Sequence, residues 1–190
     1  MPEYSNIVDV PAAFVNIKDY VVIKKSAHFP NYHDFDDIDI FCKDRDLFIQ
    51  QLEENLSNLG LPAYRLNTTI KQNNTHIDVW FEFSSNLNLR FDIYDRFPYS
   101  KFLTSAAYYD DIINNFVEEE YNGILVRVPP PLDDMVIRFF EWIEHPNKKK
   151  HFDFVNIQHE RHAELEEIVL EYSTVPYHYI AQLETPNAPE

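Results

Sequence analysis

The sequence predicts an α+β protein: a mixed, twisted β-sheet with helices packed on it and a helical extension behind it. Three observations lead there. Segments with the period-two alternation of strands, 37–42, 63–71, 75–83 and 87–95, gather in the first half of the chain. One strong helical repeat, Phe48, Leu52, Leu56 and Leu59, falls among them. After Pro98 the apolar spacing becomes helical instead. A hydrophobic content of 45% over 190 residues is enough to fill a real core, so disorder is excluded as a description of the whole.

The elements follow in order. Pro11 suits the first turn of a short helix over 11–18. The stretch YVVIKKS, 20–26, is β-branched and aromatic and reads as a buried strand ending at Lys25-Ser26. A polar, aromatic loop leads to DIDIFC, 37–42, where Asp37 and Asp39 share one face and Ile38 and Ile40 the other. The helix KDRDLFIQQLEENLSNLG has Asp44 or Asp46 to cap its start and Gly60 to end it. Asn73-Asn74 marks a hairpin turn between 63–71 and 75–83. In 75–83, Ile77, Val79, Phe81 and Phe83 oppose His76, Asp78, Trp80 and Glu82. In 87–95, Leu87, Leu89, Phe91 and Ile93 oppose Asn88, Arg90, Asp92 and Tyr94.

Beyond Pro98 the pattern predicts a helix over 105–120, a short extended piece at 124–128 and a stop at the prolines 129–131. Met135, Val136, Phe139, Phe140 and Ile143 form the stripe of a further helix, and a last one runs over about 157–172. The domain reading is an α/β core, 1–100, a helical extension packed on it, 101–180, and a tail, 181–190.

Composition narrows the chemistry. With Gly60 and Gly123 the only glycines, no glycine-rich phosphate loop is available. Cys42 is alone, which rules out a disulfide framework and a thiolate zinc site and points to a reducing, cytoplasmic home. The opening residues lack the character of a signal peptide, and no window is long and apolar enough to span a membrane. A formal charge of -16 opposes long nucleic acids and anionic lipid. It is compatible with a nucleotide when a divalent cation bridges the like charges.

The acids of DIDI need an explanation. Two carboxylates two residues apart on one strand face lie roughly 7 Å from each other. Each then disfavours ionisation of the other, unless a cation sits between them. Oxygen-rich sites of this kind suit Mg²⁺ or Mn²⁺. Asp92, between Phe91 and Ile93, is a third acid on the polar face of an apolar strand.

The order of these parts resembles the nucleotidyltransferase superfamily, whose pattern is Gly-Ser or Gly-Gly closing the first strand, [DE]-h-[DE]-h on the second and h-[DE]-h on a later one. Here KKS, DIDI and FDI stand in those places, over about residues 14–97, and Lys25 replaces the glycine. The resemblance implies a nucleotidyltransferase-like fold in which Asp37, Asp39 and Asp92 are the catalytic and metal-holding acids. It also implies that Ser26, with Lys24 or Lys25, contacts the phosphates of a nucleoside triphosphate. The implied reaction moves a nucleoside monophosphate to an unknown acceptor, a small molecule, glycan precursor or protein, and releases pyrophosphate. A catalytically silent relative that binds a nucleotide or protein, and a metal-dependent phosphohydrolase, are the alternatives.

Other features are weaker. His159 and His162 are three apart on a helical segment, not the four of the zinc-protease pattern, and read as an exposed polar face. NKKKH, 147–151, reads as a solvated helix end or as a receiver of phosphate. Trp80 suits stacking on a base or packing under a helix, and Cys42 reads as core filler.

Overall fold

The computed structural model describes residues 7–25, 29–72, 74–98, 101–104 and 106–183. The chain divides into two compact units, Met1–Pro98 with Ile112–Pro129, and Tyr99–Asp111 with Pro130–Glu190.

The first unit is built on a five-stranded mixed sheet of β1 (Tyr20–Ile23), β2 (Asp36–Cys42), β3 (Tyr64–Ile70), β4 (Thr75–Phe81) and β5 (Leu89–Tyr94), in the order β1-β2-β5-β4-β3. Only β2 and β5 run parallel; the other neighbours are antiparallel. A parallel pair needs a long crossover. Helix α1 (Arg45–Asn58) and the β3–β4 hairpin supply it. This is the α+β class that the alternation implied.

The strands alternate as period two requires, so one sheet face is apolar. Ile38, Ile40, Leu89, Phe91, Ile93, Ile77, Val79 and Phe81 meet Phe48, Leu52 and Leu56 of α1 in one core, which Phe14 and Tyr20 complete by stacking at 5.2 Å. Helix α1 is fixed at both ends. The Asp44 carboxylate accepts from the Leu47 N–H at 3.0 Å, and Gly60 takes φ +64° just beyond the last turn. Between the two capping candidates, the structure selects Asp44. The expected helix over 11–18 is a single 3-10 turn, Ala12–Phe14, that lays Ala13 and Phe14 into this core. Phe83 lies beyond the end of β4 and is exposed, so it does not extend the apolar face.

One larger expectation is corrected. Among the described residues of 105–120, only α2 (Ala107–Asn114) is helical; β6 (Val117–Tyr121) and β7 (Ile124–Val128) form an antiparallel hairpin. Asn122 and Gly123 both take positive φ, 53° and 80°, as a two-residue hairpin turn demands. The three glutamates of VEEEY favour a helix locally, but the Asn-Gly turn and the pairing with β7 outweigh them.

In the second unit, α3 (Pro131–Glu144) buries the stripe expected of it, including Met135, Phe139 and Phe140. Pro146 ends it, and α4 (Lys149–Asn156) follows. The lysines of the basic run are solvated as expected, but they stand at a helix start and not at its C-terminal end; Lys148 Nζ donates to buried Glu141 at 3.0 Å. The last long helix, α5 (His162–Tyr172), starts later than expected, and a short α6 (Tyr177–Ala181) follows it. Among the described residues, no helix is long and apolar enough to cross a membrane.

Candidate functional site

The site is the polar face of the five-stranded sheet. Register decides which side chains meet there. Asp39 on β2 lies opposite Asp92 on β5, and Asp92 lies opposite His76 on β4. One step along the strands, Asp37 lies opposite Arg90, and Arg90 opposite Asp78. Cross-strand partners share a face. The three acids named from the sequence, Asp37, Asp39 and Asp92, are therefore on one side of the sheet, two of them in register on parallel neighbours.

Their surroundings differ. Asp37 is exposed, whereas Asp39, Asp92, His76 and Asp78 are 4%, 8%, 7% and 6% exposed. Asp39 is well served: Lys24 Nζ stands 3.0 Å from Oδ2, and the Tyr94 hydroxyl donates to Oδ1 at 3.2 Å. Asp78 is held by Arg90, whose Nε donates to Oδ1 at 2.7 Å and whose other nitrogen donates to Oδ2 at 3.2 Å. Asp92 is served less well. Among the described residues its buried Oδ1 has no hydrogen-bond partner, and His76 Nε2 lies 3.3 Å from it.

The electrostatics follow from that placement. Burial first, then the Asp39 and Asp37 charges, push the Asp92 carboxyl up to about 7, with Arg90 and Lys24 pulling the other way. Burial, helped by the Lys71 and Arg90 charges, holds His76 below its ordinary value, so its imidazole is neutral at neutral pH. The hydrogen bond to Asp78 raises the Arg90 guanidinium further.

The two candidate lysines part company. Ile23 opposes Asp39 on the acid face, so strict alternation would send Lys24 to the other side. Lys24 instead has φ +50°, a left-handed residue at the strand end, and its ammonium returns to Asp39. Lys25 turns to the β6–β7 hairpin, where it pairs with Glu119 and donates to the Tyr121 hydroxyl at 2.9 Å. Ser26 lies outside the described residues. Trp80, at the edge of the polar face, carries the Arg65 guanidinium 5.3 Å over its ring. Cys42 is buried on the apolar side, and burial pushes its thiol up to about 12, as suits core filler. His159 is exposed, while His162 lies 3.0 Å from the Val155 carbonyl.

Sequence reasoning left out Arg90, Asp78 and His76, although alternation placed all three on the polar face. The missing signal was register: only pairing across strands shows that they flank Asp92.

Such an acid row presents the hard oxygens that a divalent ion takes. Among the described residues, Asp92 Oδ1 is a buried acceptor lacking a donor. Among the described residues, no three His, Cys, Asp or Glu side chains are grouped to hold one ion by themselves. Magnesium-type sites commonly take one or two carboxylates and fill the remaining positions with phosphate and water. The residues fit that kind of site.

No family model matches the chain, and no curated protein does. Solved structures that resemble it include the Helicobacter pylori protein JHP933, at 10% identity and a TM-score of 0.42, covering 86% of this chain and 76% of that one. Another is an H. pylori protein described as a "putative nucleotidyltransferase", at 9% identity and TM-score 0.42, covering 86% and 78%. Likeness at that level adds nothing to what the strand order and side chains say.

Proposed function

We propose that the chain is a divalent-metal-dependent nucleotidyltransferase, moving a nucleoside monophosphate from a triphosphate to an acceptor hydroxyl with release of pyrophosphate. One observation carries this reading: Asp39 and Asp92 lie in register on parallel neighbouring strands, Asp37 lies on the same face, and among the described residues Asp92 Oδ1 is buried without a donor. Keeping carboxylates dry and adjacent destabilises a fold, so a site that retains them is explained by the cation they attract.

Asp37, Asp39 and Asp92 would hold Mg²⁺ or Mn²⁺; when bound, the metal neutralises the triphosphate and polarises the acceptor hydroxyl. The chain's own groups do the rest. Asp92 takes the proton as the acceptor oxygen bonds to the α-phosphorus, while the bond to the β-phosphate breaks and pyrophosphate leaves. Lys24, already beside Asp39, adds a second positive charge for the phosphates. Asp78 holds Arg90 rigid beside Asp37, a fixed cation at the exposed end of the row.

The test is a triphosphate labelled at its α-phosphate, incubated with Mn²⁺ or Mg²⁺. Label transferred to an acceptor, with pyrophosphate released, supports the proposal; inorganic phosphate released without transfer favours a phosphohydrolase. A second reading, a catalytically silent nucleotide-binding relative, draws on Lys24, whose ammonium already neutralises Asp39. Nucleotide-dependent thermal stabilisation without turnover would select it.

A further inference from the structure

We propose that His76 and Asp92 chelate one divalent ion together, His76 Nε2 and Asp92 Oδ1 being adjacent ligands, so that the site prefers first-row transition ions such as Mn²⁺ over Mg²⁺. This rests on the metal-dependent reading above and adds a nitrogen ligand to its three carboxylates.

Geometry comes first. His76 and Asp92 are register partners on antiparallel β4 and β5, so their side chains share the acid face. Nε2 and Oδ1 are 3.3 Å apart, yet Oδ1 receives no hydrogen bond among the described residues, so the imidazole is close without being aimed as a donor. Two ligands at right angles around an ion, each about 2.1 Å from it, lie about 3.0 Å apart. The observed spacing is that of adjacent ligands.

The proton inventory agrees. Nε2 also faces Asn74 Nδ2 at 2.7 Å and Lys71 Nζ at 3.3 Å. An ammonium only donates, so the lone pair is on Nε2 and the proton on Nδ1, which is the tautomer able to ligate through Nε2. A ring lone pair and a carboxylate oxygen thus stand side by side on residues 7% and 8% exposed, and an ion taking the lone pair would displace the half-buried Asn74 amide that now donates to it. Two electron-rich atoms hold that position when positive charge lies beside them. Lys71 supplies some, from an exposed and mobile type of side chain that loses little by swinging into water. A divalent ion supplies more, and an imidazole in its coordination shell favours transition ions over Mg²⁺. Two protein ligands suffice, because phosphate and water complete such shells.

Electron spin-echo spectroscopy of the whole chain with Mn²⁺ alone decides the matter. The expected spectrum shows the ¹⁴N coupling of a directly bound imidazole, changing to the ¹⁵N pattern when histidine is ¹⁵N-labelled. His76→Gln removes the coupling and weakens Mn²⁺ binding roughly tenfold. Bound Mn²⁺ without nitrogen coupling overturns the inference, and so does coupling that persists in folded His76→Gln. Should that variant not fold, Asp92→Asn keeps the imidazole and must also weaken Mn²⁺ at least about tenfold; unchanged affinity overturns the chelate, as does a wild-type chain that binds no Mn²⁺. Label transfer measured in Mg²⁺ is a separate readout, so loss of the chelate and loss of the nucleotidyltransferase reading are told apart.

Discussion

The two faces of the five-stranded sheet are made by the same residues of the same strands, alternating, and both are largely buried. They differ in what burial does. On the α1 side, Ile40, Phe91, Ile93, Ile77 and Val79 are fully buried, and dispersion and the hydrophobic effect reward every contact. On the other side, Asp39, Asp92, His76 and Asp78 are buried nearly as deeply, and desolvation penalises each charge. Lys24 and Arg90 offset the penalty at Asp39 and Asp78 by direct pairing, whereas at Asp92 the same two cations act only from a distance and burial outweighs them. One face is what makes the sheet stable; the other is tolerated because of it.

The comparison can be broken most severely from the apolar side. Phe91→Ala empties a site fully buried beneath Phe14 and should lower unfolding free energy by roughly 3–5 kcal/mol in chemical denaturation. Comparable stability in that variant would mean that the α1 face does not hold the sheet. On the polar face, Asp37→Asn should reduce nucleotidyl transfer by about a hundredfold or more, about 3 kcal/mol at the barrier. Because Asp37 is exposed, its unfolding free energy should stay within roughly 0.5 kcal/mol of wild type.

The third prediction concerns pH. Since Asp92 is raised from 3.8 to about 7, the native chain binds more protons than the unfolded chain between those values. That contribution makes stability fall as pH rises through the interval. In chelator, Asp92→Asn, which never ionises, should match wild type near pH 4 and exceed it by about 1–3 kcal/mol near pH 8. Equal stabilities at pH 8 would show that the Asp92 charge is not penalised. Smallest of all, Lys25→Met should cost at most about 1 kcal/mol by releasing Glu119, a partly exposed pair, as read by thermal unfolding. It should disturb transfer less than Lys24→Met does; the reverse order would exchange the roles given to the two lysines.

How far the sequence could be read follows from which forces act locally. Alternation in DIDIFC, THIDVWF and LRFDIY is a local signal, and it separated the core residues from the acids. Register is not local: nothing in the chain around His76 says that Asp92 will lie across from it. The lysines show the same limit on a smaller scale, since one left-handed residue, Lys24, reverses the face that alternation assigns. The β6 error had another cause. Helix propensity summed over three glutamates hid a turn signal, Asn122-Gly123, that was present in the residues all along.

If the acid row binds a divalent ion, crystals grown with Mn²⁺ and examined at an anomalous wavelength will show a peak within about 2.3 Å of Asp92 Oδ1, with an Asp37 or Asp39 carboxylate on the same manganese shell. A clean map with no peak on this face, and Lys24 still seated on Asp39, would contradict it.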